Sequence, residues 1–216
     1  MNREASIAGI ILAGGLGRRM GGGDKPLVEI GGAPMLARVI GRLRPQVAHL
    51  ALNANGDPNR FARFDLPVVA DTIEGFAGPL AGILAGMRWA AKTLPEPRFV
   101  ASAAADTPFF PKNLVARFAE GMHGQETIAL AASGGGVHPV FGLWPIALAD
   151  DLERFLVSGE SGKILAYVDR HERADVRFDD IVLPDGERVD PFFNVNTPDD
   201  AAWAQEIASA LDGAKA

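Results

Sequence analysis

A glycine-rich, basic segment near the start of the chain is the first feature whose residue types could do chemistry. Residues 11–26 read ILAGGLGRRMGGGDKP and combine six glycines with Arg18, Arg19 and Lys25. Ordering each glycine costs about 0.5–1 kcal/mol more than ordering an alanine, and in return the backbone N–H groups can approach another group closely. Such N–H groups at a turn between a strand and a helix, with cations beside them, form a cradle for phosphate. The segment therefore predicts a phosphate-binding loop.

Two common phosphate-binding motifs do not fit this loop. A P-loop requires G-x-x-x-x-G-K-[ST], but Lys25 lies between Asp24 and Pro26. A dinucleotide fingerprint requires G-x-G-x-x-G, and Met20 stands where the third glycine would be. We therefore expect a different class of nucleotide loop.

Polar or small residues follow three further apolar segments that read as strands. Asn53 follows the second strand, Asp71 and then Gly78 follow the third, and Asp106 follows the fourth. Taken alone, each residue also fits a turn or a helix cap. Ligands of open α/β sheets bind beyond the carboxyl ends of the strands, so the common position of these residues favours one binding site. A carboxylate beside a phosphate cradle predicts that Asp106 holds Mg²⁺.

Strands and helices alternate along most of the chain. Apolar runs predict strands at 7–13, 47–54, 66–70, 98–105, 127–132, 137–144 and 176–182. Helical periodicity and capping residues predict helices at 34–43, 80–94, 111–121, 148–157 and 161–170, and a last helix from 197. This alternation is typical of a three-layer α/β fold with a mostly parallel, Rossmann-like sheet. The length of 216 residues indicates a single domain over 1–216.

Composition excludes several classes of protein. The chain contains no cysteine, which rules out disulfides, iron–sulfur clusters and a thiol nucleophile. No apolar run reaches the roughly 18 residues of a membrane span and no signal peptide is evident, so we expect a soluble, cytoplasmic protein. The net charge is −6, yet residues 1–44 hold seven Lys and Arg against three Asp and Glu. A positive site on an acidic body favours a small polyanion over nucleic acid.

The remaining polar residues give weaker signals. The four histidines, 49, 123, 138 and 171, lack metal-ligand spacing, and His138 before Pro139 favours a structural role over a substrate contact. No serine shows a convincing His or Asp partner for nucleophilic catalysis; those considered are Ser102, Ser133, Ser158 and Ser161. Asn194 and Asn196 precede a helix capped by Thr197. Their sequence fits turn and cap roles, and it also fits contacts in the second half of the pocket.

Seven motifs together resemble the molybdenum cofactor guanylyltransferase family. They are LAGGLGRRMGGGDKPL (12–27), NAN (53–55), VVAD (68–71), GPLAG (78–82), DTP (106–108), HP (138–139) and FNVNTPDD (193–200). The resemblance spans the chain from Ile7 to the last helix. That family joins GMP from GTP to molybdopterin and releases pyrophosphate, and it has a Rossmann-like nucleotidyltransferase fold.

The resemblance implies a role for each matching residue. It places Lys25, with Arg19 as a helper, on the triphosphate and Mg²⁺ on Asp106, and these three are the catalytic candidates. Asn194 and Asn196 would face molybdopterin. The GTP contacts it implies are Leu12, Ala13, Gly14, Gly15, Lys25, Asn53, Asp71, Gly78 and Asp106. Related sugar nucleotidyltransferases carry a second metal-binding aspartate where this chain has asparagines, which leaves a second metal open.

The resemblance also implies an organisation and partners. The half at about 5–110 would bind the nucleotide and the half at about 111–212 would bind the acceptor. The partners would be GTP and molybdopterin or its molybdenum form, with transient contacts to the proteins that supply and receive the cofactor. We expect a monomer that binds neither nucleic acid nor a membrane.

Three alternative functions differ from this interpretation in identifiable features. A cytidylyltransferase for the same cofactor tends to carry LAAG where this chain has LAGG at 12–15. A sugar-phosphate guanylyl- or uridylyltransferase is disfavoured by the short second half and by NVNTP at 194–198. A non-catalytic nucleotide-binding protein is disfavoured because Lys25 and Asp106 are both present.

Overall fold

A seven-stranded sheet forms the middle of the molecule in the computed structural model, which describes residues 7–14, 25–73, 78–159 and 161–213. The strands are β1 (Ile7–Leu12), β2 (Glu29–Ile30), β3 (Ala33–Pro34), β4 (His49–Asn53), β5 (Val68–Val69), β6 (Phe99–Ala104), β7 (Ile128–Ser133), β8 (Gly136–Pro145), β9 (Arg173–Arg177), β10 (Ile181–Val182) and β11 (Arg188–Val189). The helices are α1 (Met35–Leu43), α2 (Pro79–Thr93), α3 (Leu114–Gly121), α4 (Ala149–Ser158), α5 (Ile164–Val168) and α6 (Pro198–Gly213). Short 3₁₀ helices occupy Lys25–Leu27, Arg44–Gln46, Pro58–Phe64 and Ile146–Leu148.

The central sheet has the strand order β5-β4-β1-β6-β8-β7-β9. Its parallel pairs are β4 with β5, β1 with β4, β1 with β6, and β7 with β9. Strand β8 is antiparallel to both of its neighbours, β6 and β7. Because of this reversal, the turn between β7 and β8 lies at the same edge of the sheet as the carboxyl ends of β1, β4 and β6.

Helices cover both faces of the sheet, and each face has its own core. Side chains of β1 alternate between the two: Ile11 packs in a cluster with Leu36 of α1 and Phe118 of α3. Ile10 packs in a second cluster with Leu84 of α2. A parallel strand that is buried on both faces is apolar at consecutive positions, which explains the continuous apolar sequence of β1.

A third core lies beside the sheet and fixes the C-terminal helix. Ile207 of α6 packs there with Met35 at the start of α1, with Phe109, and with Leu183 next to β10. Val195, just before α6, is fully buried in the same cluster. This cluster therefore anchors the chain segment that leads into α6.

The fold class predicted from the sequence is confirmed, with local differences. The strand predicted at 176–182 is two strands, β9 and β10, because the acidic pair Asp179 and Asp180 interrupts the apolar pattern. The helix predicted at 161–170 is shorter, and is limited to α5. The sequence analysis missed the two small antiparallel sheets, β2 with β3 and β10 with β11. No helix among the described residues is long and apolar enough to cross a membrane.

Candidate functional site

Three neighbouring strands end in one row at the carboxyl edge of the sheet. Leu12 of β1 is the register partner of both Asn53 of β4 and Ala104 of β6. Two hydrogen bonds continue the row beyond the strands: the N–H of Ala13 donates to the carbonyl of Asn53 at 2.9 Å, and the N–H of Ala105 donates to that of Leu12 at 3.0 Å. The residues that follow these strands are therefore brought together, as the sequence predicted.

Lys25 and Asp106 form an ion pair at this edge. Nζ of Lys25 lies 2.5 Å from Oδ2 of Asp106 and 2.7 Å from Oδ1 of Asn196. The side chains of Lys25 and Asp106 are 15% and 24% exposed, so solvent or a ligand can reach the pair from one side. One ammonium group thus connects the end of the glycine-rich segment, the end of β6 and the segment before α6.

The backbone holds Asn196 close to Asp106. The N–H of Val195 donates to the carbonyl of Asp106 at 2.9 Å. The carboxylate of Asp200 accepts hydrogen bonds from the N–H groups of Asn196 and Thr197, both at 2.8 Å, and the N–H of Asp200 donates to Oγ1 of Thr197. This reciprocal cap satisfies the free N–H groups at the start of α6. The hydrogen bond from the Asn196 N–H is the main reason that the pKa of Asp200 lies below its ordinary value.

Asp71 is held by two asparagine side chains. Nδ2 of Asn53 donates to one carboxylate oxygen of Asp71 at 2.9 Å, and Nδ2 of Asn55 donates to the other at 2.8 Å. Oδ1 of Asn55 accepts from the N–H of Asp71 at 3.0 Å. Asn53 is buried, and its Nδ2 also donates to the carbonyl of Val69. In this structure Asn53 therefore orients Asp71, and the carboxylate retains lone pairs that can accept from a ligand.

Helix α2 packs closely against the ends of β1 and β4. A Cβ atom added to Gly82 would overlap Oδ1 of Asn53 and would lie 2.9 Å from Cδ2 of Leu12. Only a glycine leaves room for both side chains at this point. Gly78 is the N-cap of α2 and Pro79 follows it, so the helix N-terminus with its free N–H groups lies at the carboxyl edge.

Of the other predicted site residues, some are described in the structure and two are not. Leu12 and Ala13 are buried at the end of β1 and Gly14 is exposed just beyond it. Asn194 is exposed next to the buried Val195. Gly15 and Arg19 lie outside the described residues.

The oxygen atoms around Asp106 suit a hard divalent cation. The carboxylate of Asp106 and the amide oxygen of Asn196 already share one cation, the Lys25 ammonium, and oxygen donors are the ligands that Mg²⁺ prefers. Within the described parts of the chain, no three His, Cys, Asp or Glu side chains group together to hold a metal. A metal at Asp106 would therefore complete its coordination with phosphate, amide or water oxygens.

Sequence reasoning missed two groups of residues near this edge. Asn55 was recognised as polar but not as a partner of Asp71, although its position in NAN was a usable signal. Ser133 was assigned no His or Asp partner, yet its hydroxyl lies 2.6 Å from both Nε2 of His138 and Oδ2 of Asp190. Asp190 is 57 residues away in sequence, which no local pattern reveals.

A cavity at the opposite edge of the sheet has no carboxylate among the described residues that line it. It has a volume of about 280 Å³ and is lined by apolar residues such as Ile7 and Phe99, together with Arg98 and His123. Ile7 and Phe99 lie at the amino ends of β1 and β6. Because open α/β sheets bind ligands at the carboxyl edge, the site at Lys25 and Asp106 is the better candidate.

A sheet covered on both faces, with a basic glycine-rich segment after β1 and a carboxylate after the neighbouring β6, is typical of an α/β protein that binds a phosphorylated ligand at the carboxyl edge of its sheet. The family model described as the MobA-like NTP transferase domain matches residues 9–174, and the chain belongs to that family.

Curated relatives and solved structures extend this similarity over nearly the whole chain. A protein from Bradyrhizobium sp. (strain ORS 278), named molybdenum cofactor guanylyltransferase, is 50% identical over 96% of this chain and 95% of its own length. The crystal structure of molybdopterin-guanine dinucleotide biosynthesis protein A from Archaeoglobus fulgidus has a TM-score of 0.71 at 24% identity, and covers 94% of this chain and 98% of that one. The structure of Rv0371c from Mycobacterium tuberculosis in complex with manganese has a TM-score of 0.62 at 20% identity, with 93% and 98% coverage. These two solved structures share the fold.

Proposed function

We propose that this protein transfers GMP from GTP to the phosphate of molybdopterin, or of its molybdenum form, and releases pyrophosphate in a Mg²⁺-dependent reaction. Membership of the family and the name of a relative that is half identical over nearly the full chain support the reaction. The observation that carries the proposal is the ammonium of Lys25 held between Asp106 and Asn196. It puts the cation that we propose binds phosphate in contact with the carboxylate that we propose binds the metal, at the end of β6.

The chemistry requires little more than positioning and charge neutralisation. An oxygen of the acceptor phosphate forms a bond to the α-phosphorus of GTP, and the bond from that phosphorus to the bridging oxygen of the β-phosphate breaks. The acceptor oxygen is already ionised near neutral pH, so no protein nucleophile or strong base is needed. Charge that develops on the departing pyrophosphate is stabilised by cations.

Lys25 and Asp106 would divide this work. The ammonium of Lys25, together with Arg19, would bind the triphosphate and stabilise the leaving pyrophosphate. Asp106 would hold Mg²⁺, which would supply positive charge to neutralise the phosphates. The residues at the end of β1, namely Leu12, Ala13, Gly14 and Gly15, would approach the nucleotide through their backbone.

Asp71 would recognise the nucleoside by accepting hydrogen bonds from it. Its carboxylate is fixed by Asn53 and Asn55 and can only accept hydrogen bonds. Guanine presents two adjacent N–H donors on its Watson–Crick edge and ribose presents hydroxyl donors, so both match this acceptor. Gly78 at the N-terminus of α2 would leave room for the base or sugar, and Asn53 would act by orienting Asp71.

The second half of the chain, about 111–212, would bind the acceptor through Asn194 and Asn196, while about 5–110 binds GTP. We further infer that the protein acts as a cytoplasmic monomer, because one chain supplies all the proposed site residues, and that it contacts the supplying and receiving proteins transiently. Sedimentation of the purified protein at micromolar concentration tests the monomer, and a dimer would contradict it.

Pyrophosphate release tests the proposed function. The purified protein is mixed with molybdopterin, Mg²⁺ and either GTP, CTP or UTP, and pyrophosphate is measured with the dinucleotide product. We expect pyrophosphate to be released with GTP and not with CTP or UTP. Release with CTP would make the protein a cytidylyltransferase, and nucleotide binding without any release would make it a non-catalytic binder.

A further inference from the structure

A cluster of three polar side chains lies at the turn between β7 and β8, beside the candidate site. The hydroxyl of Ser133 contacts Nε2 of His138 and Oδ2 of Asp190, each at 2.6 Å, and accepts a hydrogen bond from the N–H of Gly135 at 3.1 Å. Ser133 is 3% exposed, so this contact is buried. Strand β8 pairs with β6 as far as Ser102 and Gly142, and the turn that precedes β8 lies at the same sheet edge as the end of β6.

The order of the hydrogen bonds excludes a nucleophilic role for Ser133. In a catalytic triad the imidazole lies between the hydroxyl and the carboxylate. Here the hydroxyl lies between the other two groups, and Nε2 of His138 is 3.7 Å from Oδ2 of Asp190. A carboxylate oxygen only accepts, so the single hydrogen of the Ser133 hydroxyl goes to Asp190. Nε2 of His138 must then be the protonated nitrogen and donate to Ser133.

Asp190 begins the segment that carries the acceptor-side asparagines. We call residues 190–196 the asparagine loop. The other carboxylate oxygen of Asp190 accepts from the N–H of Phe192 at 2.8 Å. The backbone carbonyl of Asp190 accepts from the N–H of Phe193 at 3.0 Å. The ring of His138 stacks on Phe192, with centroids 4.5 Å apart and planes 25° apart. The cluster therefore fixes the first half of the asparagine loop.

The opposite end of the loop is fixed at the candidate site. The N–H of Val195 donates to the carbonyl of Asp106 and Oδ1 of Asn196 accepts from Lys25. Asn194 lies between the two anchors and is exposed. Since a short loop held at both ends has few conformations, each anchor contributes to the position of Asn194.

We propose that Ser133, His138 and Asp190 are positioning residues for the acceptor: they set the conformation of the asparagine loop and thereby the affinity for molybdopterin, without contacting GTP. This inference rests on the proposed function for the identity of the acceptor. The end of the loop next to the proposed GTP site is held separately, by the bonds of Val195 to Asp106 and of Asn196 to Lys25, so the affinity for GTP is expected to be independent of the cluster.

The test compares two buried serines, Ser133 on β7 and Ser102 on β6, which are strands that both pair with β8. Ser133→Ala removes the hydroxyl of the cluster. Ser102→Ala is the matched control, because the hydroxyl of Ser102 is fully buried and is bonded to the carbonyl of Val140 and the indole of Trp144 instead of to a residue of the loop. We expect Ser133→Ala to raise KM for molybdopterin about tenfold, the effect of one lost charge-assisted hydrogen bond, with Kd for GTP within twofold of wild type. Ser102→Ala should lower thermal stability but leave both constants unchanged.

A conservative pair at His138 separates hydrogen bonding from packing. His138→Gln keeps an N–H near the position of Nε2, whereas His138→Phe keeps the ring on Phe192 and loses the donor. KM for molybdopterin should stay near wild type in the first variant and rise in the second. An unchanged KM in Ser133→Ala, or equal rises in Ser133→Ala and Ser102→Ala, would overturn the proposal.

Hydrogen exchange tests the positioning independently of activity. Ser133→Ala should speed amide exchange at Phe192 and Phe193 at least tenfold relative to Ser102→Ala, whatever substrate the wild-type protein uses. If wild type releases no pyrophosphate with GTP and molybdopterin, the proposed function fails, and exchange still decides whether the cluster holds the loop. Unchanged exchange rates would refute the cluster as an anchor even in an active enzyme.

Discussion

Substitution of Lys25 by methionine should weaken the binding of GTP at the candidate site and strengthen the binding of a divalent metal there. Methionine keeps the length of the side chain and removes the ammonium that lies 2.5 Å from Oδ2 of Asp106 and 2.7 Å from Oδ1 of Asn196. If this ammonium binds the triphosphate, GTP loses a charge-assisted hydrogen bond that is worth about 1.5–3 kcal/mol. The Kd for GTP should then rise by about 10- to 150-fold.

The same substitution should strengthen metal binding in the absence of nucleotide. In the wild-type protein a divalent cation has to displace the Lys25 ammonium from Asp106 and Asn196. In Lys25→Met these oxygen atoms are released and the charge of the Lys25 ammonium no longer opposes the metal, so the Kd for Mn²⁺ alone should fall several-fold. The fold should survive, because solvent reaches the pair from one side and can hydrate the carboxylate of Asp106 once the ammonium is removed. The expected cost lies between the roughly 1 kcal/mol of an exposed ion pair and the roughly 3–5 kcal/mol of breaking a buried one.

The assays are titration calorimetry with GTP and Mg²⁺, and electron paramagnetic resonance of Mn²⁺ without nucleotide. Lys92→Met is the control, because it changes the net charge equally at an exposed position in the last turn of α2, near the amino edge of the sheet. A GTP affinity within twofold of wild type would refute the role of Lys25 on the triphosphate. Weaker Mn²⁺ binding in Lys25→Met would refute the displacement argument.

Three further predictions concern the site and its support. Asp106→Asn should lower turnover about 100-fold or more, the loss expected when a metal-binding carboxylate is removed, and pyrophosphate release at saturating Mg²⁺ measures it; a rate near wild type would remove Asp106 from the mechanism. Gly82→Ala should displace Asn53, weaken GTP binding about tenfold and destabilise the fold by about 1–3 kcal/mol. Gly41→Ala is the control and should stabilise α1, because a Cβ added there meets nothing within 4 Å. Calorimetry measures GTP binding and denaturant unfolding measures stability, and equal effects of the two substitutions would contradict the packing argument. Burial lowers the pKa of His138, and nearby Asp190 opposes that shift only in part, so the native state favours the neutral imidazole. The contribution of His138 to the free energy of unfolding is therefore full above about pH 6.5 and is lost as the pH falls below that value. Urea unfolding at pH 7.5 and 5.5 should therefore show a smaller loss of stability in His138→Gln than in wild type, and an equal loss would show that His138 does not titrate in this way.

The sequence was sufficient to predict the three-layer fold and the edge at which the site lies. Buried parallel strands such as β1 are continuous apolar runs, and the residues that end them are local features of the sequence. Asn53, Asp71 and Asp106 were therefore placed correctly at one edge, because the carboxyl ends of parallel strands meet there. The site roles of these residues remain predictions.

The contacts between distant segments could not be predicted in the same way. The ion pair of Lys25 with Asp106 spans 81 residues and its hydrogen bond with Asn196 spans 171. The bond to Asn196 depends on how α6 and Val195 pack in the third core, which no periodicity encodes. The two-residue strands β10 and β11 are too short to produce a pattern, and they are stabilised by tertiary packing around Leu183 and Val189.

The reversed direction of β8 explains how the second half of the chain reaches a nucleotide site built by the first. With β8 antiparallel to β6, the turn after Ser133 lies at the carboxyl edge; a parallel β8 would begin at the amino edge and carry His138 away from Asp106. Strand β9 is parallel to β7 and also ends at the carboxyl edge, so the segment that follows it has only to cross that edge to bring Val195 to the carbonyl of Asp106. If both proposed substrates bind at this edge, the antiparallel hairpin is what brings the second half of the chain to them, and perturbing the hairpin should alter acceptor binding before it alters nucleotide binding.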